Sequence, residues 1–398
     1  QFAYWIVKQE QGGVDFDETT GQSLHSILTK RRLELEEKLS LTFGTLRKSI
    51  GFKTYKRDNK KRGIKAGVPV EQFKNEIFNP NSRDHIAYRL KLLGWKPKTF
   101  TATGKPEVNE KVLKELSYPE AKLISEHLLN HKGKFHGKIN TNGAITGRCT
   151  HFNPNLAQVV SKASKYGNEM RQLFISPANM AMLGIDFSGL ELRCLANYLY
   201  RYDSGDFQKT LLEDDIHTKN QKRLGLGSRD KAKTFIYAYI YNCGDTKLSQ
   251  LLDVSISEAR RIRTTFEKLL PALKTLKQAV AIKYRNQKWI YGLDKRKLML
   301  RAEFSSLNTL IQSAGALLVK AGTIILNQDL AKAGFKWGED YRMVLHVHDE
   351  MQFVVHKGKI EEFKKIANQL FDKTQKYFDF KCPLAGEIKV GQNWSETH

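Results

Sequence analysis

AMLGIDFSGLELRCLA, residues 181–196, and MVLHVHDEMQFVV, residues 343–355, decide how the rest of this sequence is read. In the first, Ala181 to Phe187 is an apolar run of strand length with a carboxylate, Asp186, at its end, and GLELRCLANYL after it reads as a helix. In the second, MVLHV and MQFVV flank His348, Asp349 and Glu350, which predicts a tight β-hairpin with an acidic pair at its turn. A strand end holds a carboxylate rigidly. Two carboxylates brought together at strand ends can hold two Mg²⁺ ions for phosphoryl transfer. Asp is also common at turns and caps, so each position taken alone reads as well as a turn residue. HVHDE further resembles a metal-binding cluster, although zinc sites usually add more His or Cys at close spacing.

Between these stretches, SRDKAKTFIYAYIY predicts a helix from Ser228, a candidate N-cap, to Tyr241. Arg229, Lys233, Tyr237 and Tyr241 recur every fourth residue. Each step overshoots a full turn by only about 40°, so the four form a gently curving stripe. Its cations suit a triphosphate and its aromatics suit a base. The alternative is an ordinary amphipathic helix with Tyr facing a core. His217 in DDIHTKNQ is a candidate phosphate ligand or a plain surface or core histidine. Asn308 and Gln312 stand four apart on a predicted helix, where amides can read the nearly sequence-independent minor groove.

The chain of 398 residues is 40% hydrophobic, enough for a sizeable core, and at this length two or three lobes are expected. Its formal net charge of +24, from 66 basic and 42 acidic residues, calls for a polyanionic partner, most simply nucleic acid. Cys149, Cys194, Cys243 and Cys382 are scattered without a CxxC pair, which suggests a reducing compartment and no structural zinc. No signal peptide and no membrane-spanning apolar run are read, so a soluble protein is expected. The start at Gln1 suggests a fragment or a processed or trimmed product.

Residues 20–50 predict one long amphipathic helix, with Leu24, Ile27, Leu28, Leu33, Leu35, Leu39 and Leu41 as its stripe. The basic run Lys53 to Lys65 reads as a mobile loop. FNPNSRDH supplies a turn and then Ser82 as a helix N-cap, and GKINTNGAITGR, Gly137 to Arg148, reads as strand and turn. No internal repeat is apparent. The fold class is α+β: a helical lobe, a strand-containing lobe, a helical insertion, and a return to strands.

These residues resemble DNA polymerase I-type (family A) enzymes, and within them the replicative polymerases of T-seven-like short-tailed phages. The resemblance runs nearly end to end through FNPNSRDHI, NGAITGRCTHFNPNLAQV, GIDFSGLELRCLA, DIHTKNQ, RDKAKTFIYAYIYNCG, LNTLIQSAGAL and HVHDEMQ. It implies a right-hand fold. Residues 1–18 would be the lead-in from a missing exonuclease region, 19–135 the thumb with its short basic loop 53–65, and 136–200 the first part of the palm. The fingers would span 201–300 and the second part of the palm 301–398.

The resemblance also implies the site. Asp186 and Asp349, with the backbone carbonyl of Phe187, would bind two Mg²⁺ ions, with Mn²⁺ able to substitute. Arg229 and Lys233, helped by His217, would hold the dNTP triphosphate. Tyr237 would pack on the nucleotide, Glu191 would exclude a ribose 2′-OH near it, and Tyr241 and Gly244 would lie at the template. Primer–template DNA would meet Arg148, Asn308, Gln312, His348 and His398, and in the thumb Ser82, Arg83, Lys60 and Lys61. Further implied partners are a separate exonuclease or replisome proteins, but no thioredoxin clamp and no membrane. The setting would be the cytoplasm of an infected bacterial host, and no proofreading is expected of this chain.

Three features depart from the family pattern. Motif B ends Tyr241-Asn242 instead of Tyr-Gly, with Ala238 at an earlier Gly position, so a stiffer hinge is expected. Only the short basic run occupies the place of the clamp-binding thumb insertion. Asp15, Asp17 and Glu18 mimic an exonuclease carboxylate cluster but sit in the lead-in to the thumb. Three rival functions are a non-catalytic basic DNA-binding module, a single-subunit RNA polymerase and a metal phosphohydrolase built on HVHDE. The first would lack Asp186 or Asp349, the second is opposed by Glu191, and the third needs further His ligands.

Overall fold

The structure is a computed structural model and describes residues 1–59, 62–101, 103–108, 113, 138–152, 155–162, 164–213 and 215–398. The chain divides into two compact units, Gln1–Asp17 with Phe135–His398, and Glu18–Lys134.

The larger unit is organised by a four-stranded antiparallel sheet. Its strands are β7 (Met180–Phe187), β10 (Tyr341–Val347), β11 (Glu350–His356) and β12 (Gly386–Gly391), in the order β10-β11-β7-β12. β7 is apolar except for Asp186, as suits a central strand covered on both faces. The pleat sends Leu183, Ile185 and Phe187, with Met351, Phe353 and Val355, into the main helical core. Met182 and Val354 face a second, smaller core with Phe174 and Trp394. Gly184 and Asp186 share this second face by alternation, and a side chain at Gly184 would strike the Thr397 carbonyl and Gln352. The C-terminal residues therefore close over the face that carries Asp186.

The helices on the other face include α1 (Phe2–Gly12), α5 (Leu190–Asp203) and the long, largely buried α12 (Ser306–Lys332). Gly322 on α12 lets it approach the sheet, since an added Cβ would lie 3.2 Å from the Phe187 ring. The segment Glu303–Lys332 is long and apolar enough to cross a membrane, which corrects the expectation that no such run exists. Its most apolar window is 67% buried inside the protein, as a core helix would be. The remaining helices used below are α7 (Ile216–Leu224), α8 (Arg229–Ile240), α9 (Asp245–Leu252) and α11 (Pro271–Gln287).

In the smaller unit, α2 (Glu18–Phe43) and a ribbon of β2 (Thr45–Thr54) and β3 (Pro69–Ile77) precede α3 (Arg83–Leu92). Leu39, Phe43, Leu46, Phe78, Ile86 and Leu90 form its core. The helix expected over 20–50 thus stops at Phe43. Gly44 follows at φ 55°, a left-handed conformation that ends a helix at little steric cost. Of the run expected as a mobile loop, Lys53 to Lys65, the described residues 53–59 and 62–65 belong to the end of β2 and the tip of this hairpin. The tip is closed by Asn59 N–H to Ile64 O at 2.8 Å and by the reciprocal bond at 3.0 Å. Ser82 caps α3, its hydroxyl accepting the His85 N–H at 3.3 Å.

Candidate active site

The two acidic motifs meet through the sheet. Asp186 lies opposite Glu350 in the β7–β11 register, and the Phe187 N–H donates to the Asp349 carbonyl at 3.2 Å. Asp349 and His348 form the β10–β11 turn, with His348 at φ 55°. Burial pushes the Asp186 carboxyl up to about 6, with the charges of Asp349 and Glu350 adding to the effect. Burial raises the Asp349 carboxyl as well. Two partly desolvated carboxylates that each resist ionisation form a hard-oxygen donor pair of the kind that fits a divalent ion.

Glu350 has a different role. Burial pushes its pKa up, but hydrogen bonds to His398, Gln352 and Trp394 overcome this, and the net shift is downward. Trp394 Nε1 and Gln352 Nε2 donate to its Oε1 at 2.5 and 2.6 Å, and His398 Nδ1 lies 2.8 Å from Oε2. Glu350 thus anchors the chain terminus beneath Asp186. His398 is thereby brought beside the carboxylates. Among the described residues no group of three or more His, Cys, Asp or Glu is placed to hold a metal ion, so the zinc-type reading of HVHDE finds no ligand set.

On α8, Ala232, Phe235, Ile236, Tyr239 and Ile240 are buried, whereas Arg229, Lys233, Tyr237 and Tyr241 follow the opposite side. The core-facing tyrosine is therefore Tyr239, and the stripe is left for the site. Ser228 caps the helix by accepting the Lys231 N–H at 3.2 Å. The Tyr237 hydroxyl is pushed up to about 12 by burial and then by the charges of Glu191, Tyr241 and Asp349. His217, near the start of α7, has its ring centroid 6.5 Å from that of Tyr237. Burial and then the Arg229 charge lower its pKa, and its Nδ1 is buried without a hydrogen-bond partner.

Glu191, in the first turn of α5, is gripped from two sides. Arg148 donates to its Oε1 at 2.9 Å, and the Tyr241 hydroxyl donates at 2.8 Å. Gln312 on α12 reaches that hydroxyl at 3.5 Å, while the Oδ1 of Asn308 is buried without a partner. Burial and then the Arg148 charge lower the pKa of His348. Gly244 caps the start of α9.

Ser82 and Arg83 lie in the smaller unit, at the start of α3, and Lys60 and Lys61 lie outside the described residues. Asp15 pairs with Ile175 across β1 (Asp15–Phe16) and β6 (Phe174–Ile175), and its carboxylate is engaged by Arg342, as suits a structural lead-in. Sequence reasoning missed Trp394 and Gln352 beneath Glu350, and also Asp215, which caps α7 and grips Arg229. Of these only Asp215 carried a signal, an acidic residue one position before a helix.

A family model described as DNA polymerase family A matches residues 53–396. The chain belongs to DNA polymerase family A. It is 33% identical to DNA-directed DNA polymerases of Enterobacteria phage T3 and Escherichia phage T7, in each case over 100% of this chain and 69% of the relative. A thermostable DNA polymerase I of Thermus thermophilus is 28% identical over 80% of this chain and 42% of its own length. Among solved structures, the POL domain of Pol1 from M. smegmatis, in complex with DNA primer-template and dNTP, superposes with a TM-score of 0.82. It is 18% identical and covers 100% of this chain and 70% of that one. This likeness extends the family relation to the fold, the right-hand polymerase architecture of α+β class.

Proposed function

We propose that this family A chain performs template-directed 5′–3′ DNA synthesis from dNTPs, in phage replication within the cytoplasm of a bacterial host. The observation that carries the reading is the bond from Phe187 N–H to Asp349 O, which sets the two acidic motifs side by side at the end of one sheet. Asp186 and Asp349, with the Phe187 carbonyl, are the residues that would hold two Mg²⁺ ions, or Mn²⁺ in their place. Bound there, the metal would lower the pKa of the primer 3′-OH and stabilise the leaving pyrophosphate.

The chain's own residues do the rest. Arg229, Lys233 and His217 hold the triphosphate, and Tyr237 covers the nucleotide from α8. Glu191 fills the space beside the sugar, held there by Arg148 and Tyr241. Tyr241 and Gly244 meet the template, and Arg148, Asn308, Gln312 and His348 track the nascent duplex. His398 lies near the primer end. In the other unit Ser82 and Arg83, together with Lys60 and Lys61 of the basic run, contact duplex phosphates, where basic side chains supply most of the affinity.

The test is primer extension by Asp186→Ala and Asp349→Ala beside a measurement of primer–template affinity. Nucleotide addition is expected to vanish in both, with binding to DNA largely retained. Substantial extension by either variant would remove the assignment.

A further inference from the structure

One carboxylate joins the two helices that carry His217 and Arg229. Asp215 is the N-cap of α7, accepting the backbone N–H groups of His217 at 3.1 Å and Thr218 at 3.4 Å and the Thr218 hydroxyl at 2.8 Å. The same group takes Arg229 from the start of α8, with Nε at 2.6 Å from one oxygen and a terminal nitrogen at 3.3 Å from the other. Arg229 and then Thr218 hold the Asp215 carboxyl far below the usual carboxylate range. A guanidinium held along that edge keeps its second terminal nitrogen free, so it can still present charge and donors to a phosphate.

Neither fold stability nor capping alone accounts for a carboxylate here. The Asp215 and Arg229 side chains are 42% and 51% exposed, and such ion pairs add little to folding. Asn or Ser would cap α7 about as well as Asp. Only an ionised carboxylate gives a charge-assisted two-point hold on a flexible arginine, whose freedom would otherwise be lost when a nucleotide binds. Asp215 carries negative charge toward an anionic ligand, but that charge is already shared among the Thr218 hydroxyl, two N–H groups and Arg229.

We propose that Asp215 is a positioning residue for the incoming triphosphate. It sets Arg229 at a fixed distance from His217 before the nucleotide arrives. This rests on the reading that Arg229 and His217 hold the triphosphate.

The experiment is steady-state primer extension by the full chain carrying Asp215→Asn, Asp215→Ser, Arg229→Ala, or Asp215→Asn with Arg229→Ala. Melting temperature and primer–template affinity are followed in parallel. In each single Asp215 variant the KM for dNTP is expected to rise about fivefold, the upper range for an exposed ion pair. The kcat should stay within about twofold, because ground-state positioning is what is lost. On the Arg229→Ala background, Asp215→Asn should add nothing further. An unchanged or lowered KM, or full multiplication of the two effects in the double variant, would overturn the proposal. So would a fall in melting temperature that accounts for the loss, since the carboxylate would then serve only the cap. If Arg229→Ala leaves KM unchanged, the triphosphate assignment itself fails and this inference with it.

Discussion

Glu191 is held by Arg148 and Tyr241, and in the proposed function that hold makes its carboxylate a wall beside the sugar. Glu191→Ala removes that wall and frees both partners. Ribonucleotide incorporation relative to deoxyribonucleotide is expected to rise by about tenfold or more, as a lost steric contact in a pocket allows. The ratio of kcat/KM values for rNTP and dNTP checks this, and an unmoved ratio would show that another group selects the sugar. In the same proposal Tyr237 bears on the 3′ side of that sugar. Its hydroxyl is pushed up to about 12 by burial and by Glu191, so it remains a donor throughout neutral pH. A dideoxynucleotide lacks the 3′-OH that normally supports the triphosphate's bound geometry, and a Tyr hydroxyl can replace it. Such a bond to a charged acceptor is worth about 1.5–3 kcal/mol, or roughly tenfold to over a hundredfold in selectivity. Dideoxynucleotides are therefore expected to be accepted readily, and Tyr237→Phe to restore discrimination with little loss of normal synthesis. Incorporation efficiencies for each dNTP and its dideoxy analogue decide the matter.

The element that carries Tyr237 ends in an irregular turn. α8 stops at Ile240, and Asn242 follows at φ 52°, with Cys243 N–H closing back on the Ala238 carbonyl at 2.8 Å. Asn bears a left-handed backbone better than most residues do, and its Oδ1 lies 3.4 Å from Lys277 Nζ on α11. Asn242→Ala should thus cost about 1 kcal/mol more than Asn242→Gly, since only the alanine meets the full Cβ penalty. Denaturant unfolding of the two variants measures the difference, and equal stabilities would mean that the turn relaxes. At this scale the sequence was readable where local chemistry governs. Ser82 and Ser228 cap the helices expected of them, because an N-cap needs only its own side chain and the next few N–H groups. It was misread at residues 45–54. There the helix expected to residue 50 ran past its last stripe residue, Leu41, and a loop was expected from Lys53, while Gly44 ends the helix and pairing with Pro69–Ile77 makes a strand.

Across the larger unit, burial of histidine makes folding depend on pH. His346 is 3% exposed, packs against the Phe2 ring at 5.1 Å and has neither ring nitrogen hydrogen-bonded. Burial, then the neighbouring His151 and Lys320, push it from 6.5 down to about 3, and His151 is lowered to about 4 by burial and then by His348. A lowered folded pKa means that the unfolded chain binds the proton first. Stability is thus intact above pH 6.5 and falls as pH drops toward 3, by up to about 1.4 kcal/mol per pH unit for one such group. Replacing His346 by Leu should flatten this acid slope over the window from 6.5 to 3. A slope identical to that of the unaltered protein would show that His346 takes up its proton while folded.

The sequence by itself determined the family, the strand ends bearing Asp186 and Asp349, and the stripe from Arg229 to Tyr241. Each of these is written in contiguous or helically spaced residues, whose period fixes the face they occupy. Tertiary structure alone decided which of the two acidic neighbours at this turn is tied into the fold. Asp349 and Glu350 are neighbours in the sequence and chemically alike. Only Glu350 is claimed by Trp394, Gln352 and His398, which reach it from its own strand and from the chain terminus. The grip on Glu191 and the Asp215–Arg229 pair were likewise decided by the fold. The physical reason is that a hydrogen bond between residues 14 to 50 positions apart leaves no trace in local periodicity or composition. It exists only once packing has brought its donor and acceptor within about 3 Å.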